Sequence, residues 1–599
     1  MKALMVRTDF SLGESALKAE HAVKVAKEAG YTAVISADTM NIASVIPLQR
    51  AAGDEMAVIC GVKLNVVDDP TYEYRAKLAK ESNGCMESLE RGRNYCFTAL
   101  IKNEQGYRDI CELMTLANTR EQFYFVPRLA LEQLAATYAK GNILLLTSDI
   151  GSVFQRPDFA KIISALITAG GRENFYSVVY PHPTPFYDQI NVRAMKVASA
   201  LKIEPVAFYP AYYEGVDDAD IKDIAHMVMN NIKVDQPHRL RIPHQRDNAI
   251  NGRRHLLQAL KEFSVRMGVS VSAAMASTTQ DSIVKACEWR WHEMAPALPK
   301  MADDEPATLM KLAVAGLRKR LSNKEFGYTP PASEHRVYVD RLKYEMETLT
   351  RLGFCGYFLM VRDLMNHSRE TGIPVGPGRG SSAGSLVAWC IGITNVDPIR
   401  HGLLFERFIN PERLDLPDAD LDFSQARRHE VIEYLNARYG EEYVAGIPNF
   451  TYLGAASALR DTARIYGVDA ADMAVSKELK TLEDDSLSLS ELREQLASLD
   501  KYATKHPDAF KAASKLQNLM RGFGRHAAGM IVAGVPLTER TPVERRGDAR
   551  CIAFDKRYCE AMGLIKLDVL GLATLDLLDS AKRYIKESTG KDINLDAIP

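Results

Sequence analysis

The chain has 599 residues, 46% hydrophobic and 25% charged, with 75 Lys and Arg against 77 Asp and Glu. At roughly 150 residues per domain this length holds about four domains, so chain length does not limit core formation. A net charge of −2 excludes a globally basic nucleic-acid binder but not a local basic groove, and no apolar run approaches the roughly 18 residues needed to span a bilayer. Arg7 and Asp9 fall where a secretory signal needs its apolar stretch. Nine cysteines, none in a CxxC pair, point to neither a disulfide framework nor a structural zinc site.

In chain order, ALMV opens the sequence, and the amphipathic stretch 16–28 follows. Then come the apolar run 33–35, a helical stretch 43–52 and MAVICGVKLNVV. That β-α-β-α-β order predicts an α/β unit with a largely parallel sheet. Segments 142–151, 175–181 and 204–213 read as further strands, and a first domain ending near 270 fits. The basic stretch 237–255 carries five arginines and three histidines. It reads as a solvated loop or as a phosphate-contacting one. Residues 305–323 and 335–352 have helical periodicity, 372–384 is rich in Gly and Pro, and 424–522 reads as mostly helical and polar. Strand patterns return at 529–533 and 561–570, before a helix at 574–587.

The chemistry concentrates in four segments. In LDLPDADLDF (414–423), Asp418, Asp420 and Asp422 alternate with apolar residues. On a strand their carboxylates share one face, where they repel unless a cation sits among them. Oxygen-only ligands suit a hard ion such as Mg²⁺. An EF-hand is excluded, because Phe423 and His429 stand where it needs Gly and Glu; an exposed strand end with incidental acids is the alternative. In VGPGRGSSAGS (375–385), Gly378, Gly380 and Gly384 allow close backbone approach, Ser381, Ser382 and Ser385 offer hydroxyls, and Arg379 adds charge. Such a loop makes an anion nest suited to a triphosphate, although it is neither a Walker A nor a dinucleotide-binding motif. In GLIKLDVLGL (563–572), Asp568 is a carboxylate in an apolar strand, with Lys566 two residues before it. That costs free energy unless the acid is salt-bridged or metal-bound. In RGFGRHAAG (521–529), Arg521, Arg525 and His526 could reach a phosphate, as could Arg460 and Arg464 on a helical stretch. A solvated charged face is the competing reading of those bases. Together, a triphosphate nest, two strand carboxylates and a third from another strand describe a two-metal phosphoryl-transfer site.

At this point GPGRGSSAGSLVAWCIGITNVDPIRHGLLFERFINPERLDLPDADLDF (376–423) resembles the palm signature of the bacterial, C-family, DNA polymerase III alpha subunits. RGFGRHAAGMIVAG and AFDKRYCEAMGLIKLDVLGL resemble that family's later palm segments, in the same order. The resemblance implies a multidomain α/β chain. It has a PHP-like α/β barrel domain (1–270), a first palm segment of nucleotidyltransferase type (271–430), an inserted helical thumb (431–514), a second palm segment (515–580) and the truncated start of the fingers (581–599). It implies Asp418, Asp420 and Asp568 as catalytic acids holding two Mg²⁺, with Asp422 outside the ligand set. It also implies nucleotide binding by Arg379, Gly380, Ser381, Arg407 and Lys566, and DNA or phosphate contacts from Arg460, Arg464, Arg525 and His526.

The implied partners are primer–template DNA, dNTPs, a fingers-bearing C-terminal part and, through it, a sliding clamp and loader, in the cytoplasm and with no membrane. The PHP-like part departs from the family. Where its first strand usually carries His-x-x-x-His, this chain has Ala3 and Arg7, and Asp38 is displaced. A scaffold without metal is therefore expected there, and the divergence would suit a phage-encoded member. A non-catalytic replisome scaffold and a PHP-type phosphoesterase are the alternatives; the retained acids argue against the first and the missing histidines against the second.

Overall fold

A computed structural model describes residues 3–595 apart from 75, 78–94, 124–125, 237–247, 252, 323–328, 411, 413–416, 418 and 481–486. Most of the basic stretch 237–255, and the expected acid Asp418, therefore lie outside the described residues. The chain forms two compact units. One is Met1–His292 with Phe450–Gly524 and Pro542–Arg545; the other is Glu293–Asn449 with Arg525–Thr541 and Arg546–Pro599.

In the first unit the strands Ala3–Val6, Ala33–Ser36 and Ala57–Ile59 form a parallel sheet. A second sheet runs Glu204–Ala207, Phe175–Val179, Ile143–Thr147, Tyr95–Ile101, Gly61–Val67, Asp38–Thr39, with Leu129–Ala130 beside Gly61–Val67. The expected parallel order holds in part. Tyr95–Ile101 runs antiparallel to both its neighbours, which makes this sheet mixed. Nearly every residue of these strands is buried, as continuous apolar runs such as ILLLT require when helices cover both faces. The inserted helices between Ala455 and Leu516 belong to this unit. Leu459, Leu489, Leu499, Phe510 and Leu516 share one core with Ile221, Ile224 and Met227 of the helix Ala219–Asn230. The range 431–514 thus divides, because the helix Arg428–Tyr439 lies in the second unit.

The second unit is built on a six-stranded sheet ordered Asp420–Ser424, Lys566–Leu572, Met520–Val532, Val444–Tyr452, Ala549–Ile552, Val543–Arg546. Leu421, Phe423, Leu567 and Val569 point into a core shared with the helices Glu305–Ser322, His335–Leu352 and Cys355–Glu370. Alternation does the positioning: with those residues inward, Asp420, Asp422, Lys566 and Asp568 take the opposite face. One strand inside the expected helical region, Val444–Tyr452, departs from the sequence reading. Gly446 and Pro448 interrupt it, and both are depleted from strands. Among the described residues no helix is long and apolar enough to cross a membrane, and the eight cysteines described are buried and unpaired.

Candidate active site

The first acid strand, Asp420–Ser424, pairs in parallel with Lys566–Leu572, and the register sets Asp420 directly beside Asp568. Two carboxylates from segments almost 150 residues apart thus become neighbours on one face. Asp568 is 8% exposed, and its Oδ1 is buried without a hydrogen-bond partner among the described residues. Its Oδ2 lies 2.8 Å from Lys566 Nζ, two residues away on the same face. Arg379 stands 3.7 Å from both Asp420 and Asp422. Burial raises the Asp422 carboxyl above the usual carboxylate range; Arg379 opposes that shift and Asp420 adds to it. The repulsion anticipated for clustered carboxylates is therefore met by one guanidinium and one ammonium.

The Gly-rich loop closes on this face. Gly380 has φ +66°, and a Cβ there would stand 2.7 Å from Asp420 Oδ2. A Cβ at Gly376 would meet that of Asp422 at 2.8 Å, and the Gly376 N–H donates to the Asp422 carbonyl at 2.8 Å. These glycines are required by close approach to the acid strand as well as by turn geometry. Arg379, Gly380 and Ser381 are exposed at the mouth of the loop. Ser382 and Ser385 are committed elsewhere. The Ser382 hydroxyl donates to the Arg379 carbonyl at 2.9 Å. Ser385 caps the short helix Leu386–Cys390 and donates to Glu345 at 2.9 Å.

Glu345, which the sequence reading did not single out, holds the loop in place. Its carboxylate is fully buried and accepts from the Leu386 and Val387 N–H groups, each at 3.0 Å, and from Arg341 Nε at 2.7 Å. It fills the anion position at that helix start from behind, so the part of the nest left for a ligand is its exposed 379–381 end. Arg341 Nη2 also donates to the Gly384 carbonyl at 3.1 Å and reaches that of Leu403 at 3.5 Å. A side chain at Gly384 would strike the Leu404 carbonyl at 2.4 Å. The loop is thereby held against the turn Phe405–Arg407, where Arg407 is exposed. On helix 335–352 Glu345 read as one more charge at helical spacing, and only its separation from Arg341 by four residues signalled a pair.

Across the sheet, Gly529 pairs with Asp568 in antiparallel register. His526 Nδ1 accepts from the Gly529 N–H at 2.8 Å and from the Ala528 N–H at 3.3 Å. A nitrogen that accepts carries no proton, so the neutral ring holds its proton on Nε2. Burial holds the His526 pKa below its ordinary value, against the pull of Asp568. A Cβ at Gly529 would stand 3.1 Å from His526 Nδ1, so glycine permits this contact. Arg525 is exposed on the same strand. Arg460 and Arg464 lie in the first unit, on the helix Ala455–Ile465, where Asp461 pairs with Arg464 at 3.5 Å and with Arg521 at 2.9 Å.

The donor set suits a hard divalent cation. It offers carboxylate oxygens only, with Asp422 Oδ1 and Asp568 Oδ1 lacking hydrogen-bond partners among the described residues and a loop glycine pressed against Asp420. Among the described residues no group of three or more His, Cys, Asp and Glu is arranged to hold a metal, and Asp418, the third acid expected, is outside them.

At the other end of the chain, Arg7 is wholly buried. Its Nη2 pairs with Asp149 Oδ1 at 2.8 Å, its Nε donates to the Tyr212 hydroxyl at 3.0 Å, and its Nη1 donates to the Ala37 carbonyl. The Tyr212 hydroxyl in turn donates to Asp149 Oδ2. Despite burial, Arg7 holds the Asp149 carboxyl well below the usual range. Asp38 accepts from the Thr8 N–H and from the hydroxyls of Thr8, Ser11 and Ser44 at 2.5–2.8 Å.

Two family models match. The PHP domain covers residues 4–177, and the bacterial DNA polymerase III alpha NTPase domain covers 307–571, which includes every acid and loop residue of the site. The DNA polymerase III subunit alpha of Yersinia pestis is 91% identical over all 599 residues, and that of Aquifex aeolicus is 30% identical over 642 aligned positions. Those alignments take in 100% of this chain and 51% and 53% of the relatives, so the chain spans about half their length. Both relatives are bacterial, and the expected phage origin finds no support in them. A solved amidohydrolase from Chromobacterium violaceum aligns with 35% of this chain and 88% of its own, at 10% identity and a TM-score of 0.23, a likeness too slight to bear on function. The chain belongs to the bacterial DNA polymerase III alpha family and corresponds to the N-terminal portion of its members.

Proposed function

We propose that this chain carries the nucleotidyl-transfer site of a replicative DNA polymerase, joining a dNTP to a primer 3′-hydroxyl under template direction. The observation that supports it most is the register of Asp420 beside Asp568, with Gly380 against the first and an orphaned oxygen on the second. Asp418, Asp420 and Asp568 would hold Mg²⁺. Bound there, the metal would lower the pKa of the primer hydroxyl and offset charge on the leaving pyrophosphate. The exposed end of the loop, Arg379 to Ser381, would receive the triphosphate, with Arg407 and Lys566 as further cations. Arg379 and Lys566, which pair with the acids in the folded chain, would turn to phosphate oxygens. Asp422 is excluded from the ligand set on this reading.

The domain reading is part of the proposal. The acid-bearing sheet is a palm, the inserted helices act as a thumb on the duplex through Arg460 and Arg464, and fingers, clamp and loader contacts belong to a C-terminal part. The PHP-like part is proposed as a scaffold without metal. Arg7 supports this, because a guanidinium closed in a ring with Asp149 and Tyr212 already supplies the cation that such an acid needs. Primer extension with Mg²⁺, with and without a fingers-bearing partner, tests the whole. Asp568→Ala is expected to reduce it at least about a hundredfold, the scale of losing one transition-state charge partner. Undiminished extension by Asp568→Ala would refute the assignment.

A further inference from the structure

Beside the acids lies a second group of cations whose charge no carboxylate answers among the described residues. Arg428 opens the helix Arg428–Tyr439, where the backbone dipole is positive and a cation is disfavoured. Its stem crosses Gly571, whose Cβ, if present, would stand 3.3 Å from Arg428 Cδ. Its Nε donates to the Val569 carbonyl at 2.6 Å, one residue from Asp568. Its Nη2 is buried with no hydrogen-bond partner among the described residues. Among the described residues neither Arg428 nor Arg525 has an ion-paired carboxylate, and the two are close enough to repel: burial and Arg525 together lower the Arg428 pKa. His526 is within electrostatic reach of both Arg428 and Asp568. With Nδ1 occupied by two backbone amides, it has an Nε2–H left to donate.

Desolvation, a like charge and the wrong end of a helix all act against Arg428. An unpaired guanidinium kept under those conditions calls for an anion. The position narrows its identity. Arg379 and Gly380 meet the acids at Asp420, on the edge strand of the sheet. Arg525 and His526 come from the strand on the other side of Asp568. The acids therefore stand between two cationic groups. If the incoming triphosphate takes the loop side, a separate phosphate is needed on the other.

We infer that Arg428, Arg525 and the Nε2–H of His526 form a phosphate subsite for the primer strand, binding a phosphodiester next to its 3′ end. This rests on the polymerase reading above and adds Arg428 as a positioning residue for the primer. The triphosphate offers the same oxyanion chemistry, so the test separates the two sources.

Binding of a fluorescent primer–template by this chain is measured by anisotropy over a salt series, with all-phosphate primers and with primers carrying one neutral methylphosphonate at each of the last four linkages. Binding of a labelled dNTP is measured in parallel. Arg428→Gln is expected to weaken duplex binding about tenfold, the scale of one charged hydrogen bond, and to flatten the salt slope by about one counterion. One methylphosphonate position should weaken the unmodified chain and leave Arg428→Gln indifferent. Arg525→Gln should show the same position, which keeps the test open if Arg428→Gln does not fold. Weakened dNTP binding with unchanged duplex affinity would move the site to the triphosphate and overturn the inference. Equal methylphosphonate penalties in wild type and both variants would also overturn it. Failure of the unmodified chain to bind any primer–template would instead count against the polymerase reading itself.

Discussion

Asp9 gives the clearest quantitative prediction. Its carboxyl is 6% exposed and accepts from the Met520 N–H at 3.1 Å, tying the start of the chain to the end of the inserted helices within one unit. Burial is the largest influence and raises its pKa; the Met520 amide opposes this, Asp38 adds to it, and Lys18 opposes it. The net effect pushes it from 3.8 up to about 7. Between those values the folded chain holds a proton that the unfolded chain has released. By linkage, stability then falls as pH rises, from a maximum below about 4 to a floor above about 7. At about 1.4 kcal/mol per pH unit, the drop from pH 5 to pH 7 is roughly 3 kcal/mol as an upper bound.

Asp9→Asn keeps an oxygen for the Met520 N–H and removes the titration. The assay is chemical denaturation of wild type and variant from pH 5 to pH 8. Only the difference between them is interpreted, because His182 in the same unit, whose pKa burial pushes down to about 3, gives a slope of opposite sign. The variant should gain on wild type steadily up to pH 7 and no further. A difference that stays flat across the range would refute the reasoning.

Two further outcomes concern the loop. Glu345→Ala strands Arg341, Ser385 and two backbone amides, and thermal or urea denaturation should show a loss of about 3–5 kcal/mol, as for other broken buried pairs. Gly380→Ala must place a Cβ 2.7 Å from Asp420 Oδ2 at positive φ; the backbone strain is worth only about 1–2 kcal/mol, so melting should change little while primer extension falls at least about tenfold.

The acid face was legible because a two-residue period leaves little choice. With Leu421 and Phe423 apolar, Asp420 and Asp422 had to share a side, and the same held for Lys566 and Asp568. The pairing of the two segments was not legible from periodicity, since register depends on which strands meet; it came from the family resemblance. Loop composition showed that an anion could be bound near 375–385 but not which groups were free. Ser385 and the amides after it turn to Glu345, forty residues earlier, and no local pattern marks that contact. The affiliation of 450–524 with the first unit was hidden for a similar reason. Amphipathic helices declare an apolar face, not the partner that covers it, and here the partner is the helix Ala219–Asn230.

The two units treat buried charge in contrasting ways, and the contrast bears on where chemistry occurs. Around Arg7 each guanidinium nitrogen donates, to Tyr212, Ala37 or Asp149, and both Asp149 oxygens accept. Such a ring is satisfied without any ligand and resists rearrangement, since removing one member strands the rest. His182, nearby in sequence terms to the same sheet, has both ring nitrogens unpartnered, yet burial keeps it neutral and so spares it an unpaired charge. Around Asp568 the accounts stay open. Among the described residues Asp422 Oδ1 and Asp568 Oδ1 lack hydrogen-bond donors, and Arg428 Nη2 lacks an acceptor. Unmet acceptors on two paired strands and an unmet cationic donor at the start of the helix Arg428–Tyr439 do not satisfy one another in the folded chain. They require outside groups of both signs, a cation for the acids and an anion for the guanidinium. A metal-dependent phosphoryl transfer supplies that pair in a single event, which is why the open cluster, and not the closed ring, is where the chain's proposed activity belongs.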